Sequence, residues 1–282
     1  MSNGQTRVAI VGDPVEHSLS PVMQNAAFAS AGLDWEMVRV QVPSGGGAGI
    51  IDRVRSGEFA GLAITMPLKE EAAAAVDELD PASARLRSVN TAVGLPGGGV
   101  RGLSTDGNGF VNSLRVHGVD LVGTRVHIVG AGGAARSIVA ALGAIDGCSI
   151  TISNRTFSAA VEAAALSESA QAVGGEETAD AVKAAQVVVN TTSVGMGSDI
   201  GVAALPLAID LIGSHQVVAD IVYHPLTTGL LAGAAARGAH TVDGLGMLVH
   251  QAVLQCEAWT GFSPDPVAMR SAAEAELGRR SG

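Results

Sequence analysis

Gly130-Ala131-Gly132-Gly133-Ala134 follows the apolar run Val126–Val129 and opens an alanine-rich stretch. With Ala135, the spacing is Gly-x-Gly-x-x-Ala in a strand–turn–helix context, the arrangement that seats a dinucleotide pyrophosphate. The first glycine permits a tight turn, and the second lets the backbone approach the phosphates. The helix start presents unpaired N–H groups and the positive end of its dipole. About twenty residues further on, a fold that prefers NAD keeps a carboxylate for the ribose 2′-hydroxyl. Here the strand Ile150–Ser153 runs instead into Asn154-Arg155-Thr156. Arginine pairs with a 2′-phosphate and stacks on adenine, while Asn154 and Thr156 add neutral donors. NADP is therefore expected over NAD. The plain alternatives are a glycine turn of another α/β protein and a surface arginine at a strand end.

A second set of residues lies nearer the N-terminus. In Gly12-Asp13-Pro14-Val15-Glu16-His17-Ser18-Leu19-Ser20-Pro21, Ser20 reads as a helix N-cap with proline at the first helical position. In an extended loop Ser18 and Ser20 point to the same side, and two hydroxyls beside a helix start make a carboxylate seat. Thr65-Met66-Pro67-Leu68-Lys69 is another strand–turn–helix junction, with Lys69 opening the helix. A cation is locally disfavoured there by the helix dipole. Lysine occurs only at 69 and 183 among seventeen basic residues, so Lys69 stands where the common arginine would not serve. Arginine stays charged, whereas lysine can exchange a proton. The plain alternative is a solvated lysine balanced by Glu70 and Glu71. Asp106, in Thr105-Asp106-Gly107, reads by default as the cap of the next helix.

The elements that must hold these groups alternate short β-branched runs with alanine-rich helical stretches, the pattern of parallel α/β architecture. Strands are expected at Val8–Val11, Glu36–Val40, Leu62–Thr65, Val126–Val129, Ser149–Ser153, Val187–Asn190 and Val217–Ile221. Helices are expected at Pro21–Ala31, Lys69–Val76, Gly107–His117, Ala134–Leu142, Ser158–Leu166, Leu230–Arg237, Gly246–Trp259 and Pro266–Leu277. Pro43–Gly49 and the hairpin-like Leu95–Val100 read as glycine-rich loops. The 282 residues suit two modest domains, with 1–106 and 246–282 forming one and 107–245 the other. A net charge of −10 disfavours nucleic acid as a ligand. With a mean hydropathy of +0.34 the chain has material for a sizeable core, yet no apolar run approaches a membrane span. The polar start, Met1 to Arg7, carries no signal-peptide pattern, so a cytoplasmic location is expected. Cys148 and Cys256 are far apart and lack metal-site spacing, so two reduced, packed thiols are expected and no metal.

Taken in order, these motifs resemble the shikimate dehydrogenase family along nearly the whole chain. The resemblance also rests on Ser88-Val89-Asn90-Thr91, Asn190-Thr191-Thr192-Ser193-Val194-Gly195-Met196 and Asp243-Gly244-Leu245-Gly246-Met247-Leu248-Val249-His250-Gln251. It implies an N-terminal α/β substrate domain, a Rossmann-type dinucleotide-binding domain, and C-terminal helices that return to the first domain. It further implies that Ser18 and Ser20 hold a substrate carboxylate and that Thr65, Asn90, Tyr223 and Gln251 meet hydroxyls. Lys69 and Asp106 become the pair at the reacting carbonyl, with Ile221, Gly244 and Met247 near the nicotinamide. His250 has no role in the family and reads as a packed or surface histidine. The expected reaction is NADPH-dependent reduction of 3-dehydroshikimate to shikimate, and a homodimer is compatible with it. Leu103, Ser104, Ala63 and Ala159 depart from frequent family residues. A paralogue acting on quinate or an aminated analogue, with NAD or NADP, therefore stays open. So does a non-catalytic NADP-binding regulator, although a sensor needs neither Lys69 nor Asp106.

Overall fold

Val8, Ala9 and Val11 are fully buried and Ile10 nearly so, the continuous apolar run of a strand covered on both faces. That run is the centre of β1 (Thr6–Gly12), which pairs in parallel with β2 (Trp35–Gln41) and β3 (Gly61–Ile64). The computed structural model describes residues 5–197 and 204–281, which divide into two units, 1–105 with 249–282 and 106–248.

In the first unit, α1 (Ser20–Ser30) follows β1, α2 (Gly47–Arg55) follows β2, and α3 (Lys69–Ala75) follows β3. Then come β4 (Glu78–Leu79), α4 (Pro81–Leu86), β5 (Thr91–Gly94) and β6 (Val100–Leu103). The sheet order is β2-β1-β3-β5-β6-β4, and β5 runs antiparallel to both β3 and β6. Ile50, Ile51, Val54, Phe59, Leu62, Ile64 and Leu68 fill one core under α2 and α3. Burying each such side chain contributes about 1.5–3 kcal/mol. The chain's end packs here too: Gln24 Nε2 donates to the Ala252 carbonyl at 2.8 Å, and an Arg280 guanidinium N–H donates to the His17 carbonyl at 2.8 Å.

The second unit starts with α5 (Asp106–Val116) and continues β7 (Arg125–Val129), α6 (Gly133–Leu142), β8 (Ser149–Ser153), α7 (Phe157–Ala164), β9 (Ala170–Ala172) and α8 (Glu176–Ala184). After β10 (Val187–Asn190) and a 3-10 turn at Ile209–Leu211 come β11 (Val217–Asp220), α9 (Gly229–Ala236) and β12 (His240–Val242). The helix α10 (Gly244–Thr260) begins in this unit and ends in the first, followed there by α11 (Pro266–Ser281). All six strands are parallel, in the order β12-β11-β10-β7-β8-β9. The order reverses between β7 and β10, and ligands of such sheets bind at that switch point, outside the carboxyl ends of the strands. Helix α6 turns Ala135, Ile138, Val139 and Leu142 to the core, the spacing of one helical face. Gly107 lets α5 lie against α6, since a Cβ on it would stand 2.1 Å from the Ser137 carbonyl oxygen. Among the described residues no helix is long and apolar enough to cross a membrane.

Three helices are not among those expected from sequence, and the first begins inside the stretch that reads as a glycine-rich loop. Helix α2 starts inside the glycine-rich stretch because a distant carboxylate caps it. Glu71 of α3 accepts from Gly45 N–H at 2.9 Å, Gly47 N–H at 2.9 Å and the Ser44 hydroxyl at 3.0 Å. Those donors, led by the Gly45 amide, hold the Glu71 carboxyl below the usual carboxylate range. The short α4 is capped locally, with Asp80 accepting from Ser83 N–H. Helix α8 is polar on most faces and buries only Val182 fully.

Candidate functional site

Every parallel strand of the first sheet ends at the same edge, and the N-terminal set of candidate residues gathers there. A Cβ on Gly12 would stand 2.5 Å from Thr65 Cγ2 and 2.6 Å from the Met66 carbonyl oxygen, so only glycine allows the loops after β1 and β3 to touch. Asp13 N–H donates to the Met66 carbonyl at 2.9 Å, fastening those loops. Ile64 N–H donates to the Asn90 carbonyl at 2.7 Å, and Val89 N–H donates to the Lys69 carbonyl at 3.1 Å. Thr65, Lys69 and Asn90 are thereby neighbours on one rim.

Asn90 is 4% exposed, and its amide is oriented from both ends. Its Oδ1 accepts from Thr105 N–H at 2.8 Å and the Thr91 hydroxyl at 2.9 Å. Its Nδ2 donates to Thr105 Oγ1 at 2.9 Å and reaches Gln251 Oε1 at 3.5 Å. Gln255, one turn beyond Gln251 on α10, donates to the Asn90 carbonyl and to Thr91 Oγ1, each at 3.2 Å. A neutral, buried amide cluster of this kind fixes which atom donates and which accepts, as recognition of a polyhydroxylated molecule requires. Thr105, which sets the Asn90 amide, and Gln255, which holds the Asn90 carbonyl and Thr91, are not evident as site residues from sequence. Their role depends on contacts far apart in the chain.

Ser18 and Ser20 are arranged differently from expectation. Leu19, not Ser20, is the N-cap of α1, Ser20 is its first residue, and Pro21 the second. Ser18 N–H donates to the Val15 carbonyl at 3.1 Å, so the segment is a turn and the same-side argument for an extended loop does not apply. Ser18 Oγ takes the Ser20 N–H at 3.2 Å, and α1 has no side-chain cap. Both serines nonetheless lie at the start of α1, on the carboxyl side of β1, with Ser20 buried and Ser18 half-buried.

In the second unit the other candidates also share one edge. Gly130 has φ +111°, and a Cβ on it would meet Thr191 Oγ1 at 2.5 Å, so the loops after β7 and β10 are in contact. At Gly132 and Gly133 a Cβ would meet nothing within 4 Å, and both residues are exposed. Helix α6 has no side-chain cap and no acid in its first turn. Open space before uncapped N–H groups suits a pyrophosphate, so the residues here, Ala131 and Ala134 included, fit a dinucleotide. After β8, Asn154 Nδ2 donates to the Thr156 carbonyl at 2.9 Å, shaping the turn that carries the exposed Arg155. After β11, Ile221 and Tyr223 are half-buried. A Cβ on Gly244 would collide at 2.5 Å with the backbone of Ile221 and Val222, which makes that approach a glycine's work. Met247, one turn into α10, is half-buried, as is Asp106 at the start of α5. No cluster of three or more His, Cys, Asp or Glu suited to a metal ion occurs among the described residues. Cys148 and Cys256 are buried free thiols whose pKa values burial pushes up.

Comparison with known proteins gives the same lineage from both ends of the chain. The family model for the shikimate dehydrogenase substrate binding domain matches residues 10–92, and that for the shikimate 5′-dehydrogenase C-terminal domain matches residues 244–274. A shikimate dehydrogenase (NADP(+)) of Moorella thermoacetica is 38% identical over 283 residues, covering 98% of this chain and 95% of the relative. One from Haloarcula marismortui is 41% identical over 252 residues, covering 89% and 92%. The solved shikimate 5-dehydrogenase of Thermus thermophilus, in complex with NADP(H) and shikimate, superposes with a TM-score of 0.87 at 35% identity. That match covers 96% of this chain and 99% of the other. With relatives of this identity along nearly its full length, the chain belongs to the shikimate dehydrogenase family.

Proposed function

We propose that this chain is an NADP-dependent shikimate dehydrogenase, an oxidoreductase acting on a CH–OH group in aromatic biosynthesis, which interconverts 3-dehydroshikimate and shikimate. The observation that carries the reading is that each unit builds one edge of the kind this reaction needs. One is the oriented Asn90–Thr105–Gln251 amide cluster next to Lys69, and the other is the uncapped glycine loop before α6. The relatives' names and the shikimate and NADP(H) bound by the Thermus thermophilus enzyme support the same substrate and cofactor.

Gly130, Ala131, Gly132, Gly133 and Ala134 would hold the pyrophosphate, with Asn154, Arg155 and Thr156 at the 2′-phosphate and Ile221, Gly244 and Met247 at the nicotinamide. The cofactor supplies or accepts a hydride at the ring carbon. Ser18 and Ser20 receive the substrate carboxylate, and Thr65, Asn90, Tyr223 and Gln251 read its hydroxyls. Lys69 gives the proton to the carbonyl oxygen in reduction and takes it back in oxidation. Asp106 orients the hydroxyl and the amine. A spectrophotometric assay with shikimate and quinate, each against NADP and NAD, tests this reading. Turnover should be fastest with shikimate and NADP. Absence of shikimate-dependent NADP reduction would discard it, and faster turnover of quinate would transfer the chain to the paralogue class.

Arg155 carries the cofactor preference. An exposed guanidinium after β8 gives a charge-assisted pair to a 2′-phosphate that NAD lacks. Arg155→Ala should cost NADP about 1.5–3 kcal/mol of binding and leave the KM for NAD nearly unchanged. Equal efficiency of the wild type with both cofactors would remove Arg155 from that role.

A further inference from the structure

Asp220 ends β11 with only 2% of its surface exposed. Its carboxylate is met by neutral donors. Asn190 Nδ2 donates to Oδ1 at 2.9 Å, Val222 N–H to Oδ1 at 3.0 Å, and the Thr228 hydroxyl to Oδ2 at 2.7 Å. Burial pushes its pKa up, and the three donors oppose that. Each donor leads into a loop at the carboxyl edge. Asn190 Oδ1 accepts from the Thr192 N–H at 3.0 Å and its hydroxyl at 2.7 Å, and Asn190 Nδ2 also donates to the Val194 carbonyl at 3.1 Å. Thr228 Oγ1 in turn takes the Leu231 N–H at 3.3 Å, capping α9. Between these, Gly195 has φ +94°, and a Cβ on it would stand 3.3 Å from Thr228 Cβ. One carboxylate therefore fastens the 191–197 loop to the 221–228 loop.

The pyrophosphate loop follows β7, and Arg155 follows β8 on one side of it, so the other half of a dinucleotide extends over β10 and β11. We propose that Asp220 is the positioning residue for the nicotinamide half of the cofactor: it holds the two loops that wall that half and touches no ligand itself. The inference rests on the reading of the chain as an NADP enzyme. An asparagine at 220 keeps the shape but not the bonding. Its NH2 would face Thr228 Oγ1, which already accepts from Leu231, so the Thr228 proton loses its acceptor.

The test compares the full-length wild type with Asp220→Asn and Thr228→Val, each binding two probes without turnover. NADPH carries the nicotinamide, whereas adenosine 2′,5′-bisphosphate carries the adenosine with its 2′- and 5′-phosphates and no nicotinamide. NADPH affinity should fall by about tenfold or more in Asp220→Asn, the effect of one lost buried hydrogen bond. Affinity for the bisphosphate should stay within about twofold, because its loops lie after β7 and β8. Thr228→Val, which leaves the carboxylate in place, should show the same split to a smaller degree, and it decides the matter alone should Asp220→Asn not fold. NADPH affinity unchanged, or both probes weakened equally, overturns the proposal. A wild type that binds neither probe overturns the NADP reading first, and the proposal with it.

Discussion

Replacing Lys69 by arginine should lower kcat by about 10²–10⁴-fold, as much as replacing it by alanine. Arginine keeps the charge and much of the reach but has no proton to exchange at neutral pH. A residue that merely attracts a substrate anion would be rescued by that substitution. The structure separates this effect from a folding defect. Lys69 is half-buried on the first turn of α3, and its carbonyl oxygen is held by Val89 N–H. Two residues on, Glu71 ties the same turn to Ser44, Gly45 and Gly47. Helix α3 therefore stays anchored whatever side chain stands at 69. NADP affinity should also be unchanged, because the glycine loop belongs to the other unit. Measuring kcat for both variants at saturating shikimate and NADP checks this. An arginine variant within a few-fold of wild type would end the proton-transfer role and leave Lys69 a charge.

The strands that carry the site were the most legible part of the chain. Ser149–Ser153 and Val187–Asn190 occur as their β-branched runs suggest, and the other expected strands shift by one or two residues at their ends. Burial on both faces needs apolar side chains at successive positions, and that pattern survives any tertiary context. The glycine loop was legible for a similar local reason, since its turn and its approach to Thr191 each require a missing side chain. What escaped depends on partners distant in sequence. Helix α2 owes its start to Glu71, more than twenty residues away, and the glycines at 45–47 argue against a helix until that carboxylate is in view. The β5–β6 hairpin was visible only as its loop, because four-residue strands carry too little periodicity to register. Ser20 shows the opposite failure. The serine–proline pair suggests a cap, but the helix begins one residue earlier, with Leu19 as its N-cap and no side-chain cap bond. Asp220 was hidden inside an apolar strand. A carboxylate closing the run Val217-Val218-Ala219 with no lysine near in sequence was the signal available.

Acidification from pH 7 to pH 5 should remove about 2 kcal/mol of folding stability through one side chain, His127. The residue sits in the middle of β7 with no exposed surface. Its Nδ1 lies 2.8 Å from Thr151 Oγ1 and its Nε2 2.9 Å from Ser153 Oγ. These hydroxyls satisfy a neutral imidazole, one as donor and one as acceptor, but neither offers a negative charge. The cavity of about 270 Å³ beside it is lined by residues such as Val129, Thr178, Val182 and Leu207, with no carboxylate among its lining residues. Burial thus pushes the His127 pKa down to about 4. In the unfolded chain a histidine takes its proton near pH 6.5, so between about 6.5 and 4 the unfolded state binds more protons than the folded one. Stability is therefore full above pH 6.5, falls as the pH drops through that window, and levels off below 4. The carboxylates held low by their partners, such as Glu71 and Asp77, destabilise on protonation only below about pH 4.5. The span from pH 7 to 5 therefore isolates the histidine from them. Burial raises the Asp220 pKa, which works in the opposite direction, since protonation of that group favours the folded chain. Comparing denaturant unfolding at pH 7 and pH 5 for wild type and His127→Gln gives the answer. The variant is expected to be less stable at pH 7 but to lose much less on acidification, and an equal loss in both proteins would mean that His127 accepts its proton in the folded state as readily as in the unfolded one.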